Sequence, residues 1–185
     1  MILRLVMFLL LLTQVGCTAL LPRARTITES PWLEYAAAKE SFDKIKIGET
    51  TVEDLKALGF DVNAATNVKI MNYLDIAATV QGISGQDLDP GLQACLMARS
   101  ACRAYEFEPK RIYTKRMGNF WLDILSFRRK SHETGWRFKA LIVFVNHHVA
   151  YKLSSGEPKI DRYEDKVNPL GPFQAPADLI TNGVF

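Results

Sequence analysis

Long apolar runs, histidine, cysteine and surplus charge are all scarce in this chain, and each shortage excludes a class of protein. The longest apolar run is eight residues, 5–12, where a bilayer-spanning helix needs about 20. The three histidines, at 132, 147 and 148, lie far in sequence from Cys95 and Cys102, so no His–Cys spacing of a metal site is present. A formal charge of +3 is too small for the basic excess that marks a nucleic-acid partner. No glycine-rich phosphate loop occurs. Ser154-Ser155-Gly156 lacks the flanking glycine and the strand-to-helix setting of a nucleophile elbow. Asp123, Asp161 and Asp165 are the obvious carboxylates, yet nothing in the sequence pairs any two of them for acid–base work. The expectation is a protein that is not an enzyme, with no metal, no cofactor and no small-molecule substrate. Composition is that of an ordinary globular protein, 48% apolar and 23% charged, long enough for one domain with a real core.

What is present begins at the N-terminus. Arg4, the apolar run and the polar Thr13 and Gln14 follow the layout of a secretory leader. An ordinary signal, or a short anchor continued through "TALL", fits the same residues. The tetrapeptide "QVGC", residues 14–17, resembles a bacterial lipobox, with Gln14 where such motifs usually carry Leu. That resemblance implies cleavage before Cys17 and acyl chains upon it. Each buried methylene then contributes about 0.8 kcal/mol to anchoring. Thr18 is not the Asp that commonly retains such proteins at the inner membrane, so the resemblance points to the outer membrane, facing the periplasm.

With Cys17 acylated, Cys95 and Cys102 remain as an even pair, which an oxidising compartment allows to join. Seven residues of unbroken helix would separate them by about 10.5 Å, beyond the roughly 7 Å a disulfide tolerates. Pairing therefore requires a helix end near Arg99 and a reversal of the chain. Two buried free thiols are the alternative.

Along the mature chain, Ser30-Pro31 reads as a helix start, with Ser as N-cap and Pro at the first helical position. Thr50 and Glu53 read as a capping box for a short helix over 51–58, ended by Gly59. Residues 67–80 read as extended, with a helix as the alternative, and Asp89-Pro90 as the start of a helix in which Leu92, Cys95 and Leu96 share a face. "RAYEFEP" alternates and stops at Pro109, as a short or edge strand does. The later half reads as three strands, 121–130, 136–145 and 148–153, with "SHETG" as a loop and Asn146-His147 as a tight turn. Trp136, Phe138, Ala140, Ile142 and Phe144 alternate, and so line one face. Trp121 is expected in the core. The loop is expected to gather Arg128, Arg129, Lys130, Arg137 and Lys139 at a hairpin tip, where lipid headgroups or an acidic partner could meet them. A merely solvated strand end explains the same charges.

The "IKIGETTVEDLKALG" helix (45–59), Trp121 and "ALIVFVNHHVAYKL" (140–153) are together similar to the SmpA/OmlA/BamE family of outer-membrane lipoproteins, as a divergent member. The resemblance implies an α+β fold, with short helices on one face of a three-stranded antiparallel β-meander and an inserted segment, about 60–120, between helix and sheet. It also implies an envelope protein as partner, in outer-membrane assembly or integrity. A soluble periplasmic inhibitor or binding module of the same fold is the alternative. The expected layout is a leader over 1–16, a lipidated tether over 17–30, one domain over 31–163 and an extended, proline-containing tail over 164–185.

Overall fold

Thr51, rather than Thr50, opens the best-marked helix. Its hydroxyl accepts from the Asp54 amide, and the Asp54 carboxylate accepts from the Thr51 amide at 2.9 Å. Thr50 is unavailable as a cap because its hydroxyl accepts from the Lys46 amide at 2.9 Å. The computed structural model describes residues 21–28, 31–63 and 68–171. In it this helix is α2 (Val52–Ala57), preceded by α1 (Tyr35–Asp43). Helix α1 starts later than Ser30-Pro31 suggests, with Glu34 at its N-cap. Pro31 and Trp32 are held instead against Gly59. With φ at 96°, Gly59 takes a conformation that side chains disfavour, and a Cβ there would approach Pro31 Cγ at 2.7 Å.

The fold is α+β. Strands β1 (Arg23–Ile27), β2 (Val68–Asn72), β3 (Cys102–Phe107), β4 (Lys110–Met117), β5 (Arg128–Val145) and β6 (His148–Val167) form a six-stranded antiparallel sheet. Their order is β1-β4-β5-β3-β2, with β6 also paired to β5. Three further short helices are α3 (Tyr73–Thr79), α4 (Pro90–Ala98) and α5 (Phe120–Ile124).

This corrects the expected three-stranded meander in several places. Residues 120–124 are helical, because the Asn119 side chain caps the turn by accepting from the Trp121 and Leu122 amides. "SHETG" is not a loop but lies within β5, where the Thr114 hydroxyl reaches Glu133 at 3.3 Å. Strand β6 runs on past 153 to Val167, so residues 164–167, expected in the tail, are strand, and Pro158 lies within a strand that pairs in the sheet with β5 alone; residues 172–185 of the expected tail lie outside the described residues. Strand β3 is short, one of the two readings of "RAYEFEP", and is internal, between β2 and β5. Within 67–80, β2 gives way to α3 because Asn72 and Asp75 form a second capping box. Residues 23–27, expected in the tether, form β1.

The chain divides into two compact units. The larger comprises Thr26–Ile112 and Gly135–Ile160. On one face of its sheet, Tyr105, Phe107 and the alternating Trp136, Phe138, Ala140, Ile142 and Phe144 pack with Phe42 of α1 and Leu55 of α2. On the other face, Cys102, Ala104 and Val143 pack with Ile76 of α3 and Leu92 and Cys95 of α4. Helices therefore cover both faces, where one was expected. The 60–120 segment supplies the second helical layer and the internal strand β3, so it is part of the core. Helix α4 ends at Ala98, Arg99 reverses the chain at φ 50°, and the structure joins Cys95 to Cys102 with Cα atoms 5.0 Å apart.

The smaller unit comprises Met1–Arg25, Tyr113–Thr134 and Asp161–Phe185. Leu21 is the one apolar side chain buried among its described residues.

Candidate functional site

The larger unit carries an open cleft of about 290 Å³ at the β5–β6 turn. Asn146 and His147 form that turn with φ of 50° and 73°. Such paired positive values suit a two-residue hairpin, and Asn and His tolerate them better than most residues. The Asn146 amide reaches the Ala101 carbonyl, while the Val149 amide donates to Thr50 at 3.0 Å. These bonds bring the start of α2 and the turn after α4 to the same place. Cross-strand register then sets Arg103 opposite Phe144, and alternation puts Tyr105 on the same face as Arg103. Tyr105 and Phe144 meet edge to face, with ring centroids 5.7 Å apart.

The cleft therefore has an aromatic floor and a polar rim of Ser100, Arg103, Asn146 and His147. No carboxylate lines it, and Arg103 makes no ion pair among the described residues. A cationic socket with an apolar floor can hold an acidic or aromatic side chain. Among the described residues no three His, Cys, Asp or Glu side chains are grouped to hold a metal ion.

Sequence reasoning placed His147 in the turn without assigning it a role, and passed over Arg103, Tyr105 and Ser100. The alternation of "RAYEFE" marks the face of Arg103 and Tyr105, but only the β3–β5 register brings them to the turn.

The five basic residues do not meet at a tip, since "SHETG" is strand and all five lie along β5. Arg128 donates to both Asp165 oxygens, at 3.0 and 2.7 Å, and this pairing holds the Asp165 carboxyl below the usual carboxylate range. Lys130 lies 3.7 Å from the same carboxylate. Arg137 sits beside Glu108 and Glu157, and Lys139 beside Glu106 at 3.0 Å. Arg129 lines a second opening, of about 260 Å³, in the smaller unit with Leu21, Phe120, Asp123 and Ile124. Cys17 lies outside the described residues.

Helix α5 is inverted relative to an ordinary surface helix. Asp123 is 3% exposed and accepts from Arg116 at 2.9 Å. Trp121, expected in the core, is 58% exposed, and Leu122, Ile124, Leu125 and Phe127 are exposed with it. Among the described residues no helix is long and apolar enough to cross a membrane.

Fold and cleft together define a disulfide-braced α+β helix–sheet domain with an open cationic cleft. Comparison with protein-family models, with curated proteins and with solved structures finds no match.

Proposed function

We propose that this chain is a non-enzymatic lipoprotein of the bacterial outer membrane. It is attached through acyl chains on Cys17, faces the periplasm, and binds an envelope protein through its helix–sheet unit. The observation that carries partner binding is the carboxylate-free cleft, with Arg103 and His147 at its rim and Tyr105 and Phe144 beneath. Attachment is supported by the lipobox-like "QVGC" and by the Cys95–Cys102 bond, which belongs in an oxidising compartment and leaves Cys17 as the odd cysteine. Kinship with SmpA/OmlA/BamE proteins rests on the sequence resemblance over 45–59 and 140–153 alone.

Two measurements test this reading. Globomycin treatment should accumulate uncleaved precursor, and the mature chain should carry diacylglycerol mass on Cys17. An unmodified mature chain free in the periplasm would instead favour a soluble inhibitor or binding module. A photo-crosslinker in place of His147 should capture an envelope protein in intact cells, whereas one at exposed Ile83 should not. Equal capture at the two positions would remove the cleft from the argument.

A further inference from the structure

The smaller unit presents apolar groups outward and a carboxylate inward. Over residues 120–127, Trp121, Leu122, Ile124, Leu125 and Phe127 are exposed while Asp123 is buried. Among the described residues of this unit, Leu21 is the one buried apolar side chain, and these five stay exposed. A contiguous patch of large apolar and aromatic side chains marks an interaction surface.

Its charge narrows the occupant. Residues 21–25, 113–134 and 161–171 hold nine Lys and Arg against five Asp and Glu. Residues 26–112 and 135–160 hold thirteen against fourteen. The chain's basic excess thus lies with the exposed apolar face. A second copy would bring like charge to like charge, whereas anionic headgroups are complementary. Tryptophan and leucine beside lysine and arginine also form the pairing that settles at a membrane interface.

Geometry supplies a further argument, which rests on the attachment reading above. Leu21 lines the same opening as Phe120 and Ile124 of α5. Cys17 is four residues earlier in the chain, so an acylated Cys17 lies within about 14 Å of Leu21 even when fully extended. The anchor brings the lipid surface to α5.

We infer that α5 and its flanks, Trp121, Leu122, Ile124, Leu125 and Phe127, form a membrane-docking surface that lies in the interface of an anionic phospholipid bilayer. The acyl chains hold the protein to the membrane, and this face sets how it rests there.

The tryptophans make the test direct. Trp32 and Trp136 are each 7% exposed, so Trp121 is the one positioned to report lipid contact. The acylated mature chain and a Cys17→Ser chain are each mixed with vesicles of phosphatidylethanolamine and phosphatidylglycerol carrying brominated acyl chains. Emission should be quenched in both, and Trp121→Phe should abolish the quenching. In the Cys17→Ser background, Leu122→Ser with Leu125→Ser should weaken vesicle partition at least about tenfold. These two side chains are already solvent-exposed, so circular dichroism should show an unchanged fold. Mass analysis reads attachment separately. Quenching of a chain found to carry no acyl groups supports docking while attachment fails. An acylated, vesicle-bound chain with unquenched Trp121, or one whose Trp121 is shielded by self-association, overturns the docking surface.

Discussion

Lys152 holds the end of α1 to β6. Its ammonium donates to the carbonyls of Phe42, Asp43 and Ile45 at 3.1, 3.3 and 2.6 Å, and lies 4.8 Å from the Phe42 ring centre. Burial pushes its pKa below the ordinary lysine range, against the pull of Asp43. Those carbonyls end a helix, where a cation is favoured and where unmatched acceptors are costly. Lys152→Met should therefore destabilise the protein by about 1–2 kcal/mol, measured by urea unfolding, although the apolar stem is kept. Asp165 gives a pH dependence at the same scale. Its folded pKa lies below its unfolded value because Arg128 donates to the carboxylate. The stabilisation is therefore complete above the ordinary carboxylate value and is lost as pH falls through the depressed one. The gap in thermal midpoint between the natural chain and Asp165→Asn should be small at neutral pH, since both partners are exposed, and should vanish in acid. A gap unchanged in strong acid would show that Arg128 does not act through the Asp165 charge.

At the scale of elements, the Cys95–Cys102 bond ties α4 to the first residue of β3 across a separation of seven. Cross-linking so short a loop restricts the unfolded chain by about 2–3 kcal/mol. The Cys95→Ala, Cys102→Ala double variant should lose about that much in urea unfolding. Alkylation should add mass at these positions in the natural chain only after reduction. The condition for this bond was legible in the sequence, because helix geometry demands an end near Arg99. Helix α5 was less legible. "WLDILSF" is rich in strand formers, and periodicity alone cannot separate a short helix from a strand. The signal that could have found it is Asn119, a good N-cap directly before the segment. That its apolar residues face outward was not legible at all. A hydrophobic pattern states what would favour burial, not whether a partner element arrives to bury it. The β5 face of Trp136, Phe138, Ala140, Ile142 and Phe144 shows the opposite case, where alternation sufficed because helices cover that face.

For the whole molecule, the asymmetry between the two units matters more than any single residue. One unit has helices on both faces of its sheet and is near charge balance. The other buries little apolar surface among its described residues and holds the basic excess. Such a division suits a protein that presents one region to a membrane surface and keeps another for a partner. By itself the sequence determined the α+β class, the turn at Asn146-His147, the inward face of β5 and the geometric condition on the cysteine pair. Each follows from local stereochemistry or from a repeat of two or three to four residues. Only the tertiary structure decided that residues 60–120 build a second helical layer, that Arg103 and Tyr105 join His147 at one cleft, and that Trp121 stands in solvent. Those outcomes depend on strand register and on which distant segment covers which face, and no local pattern encodes either.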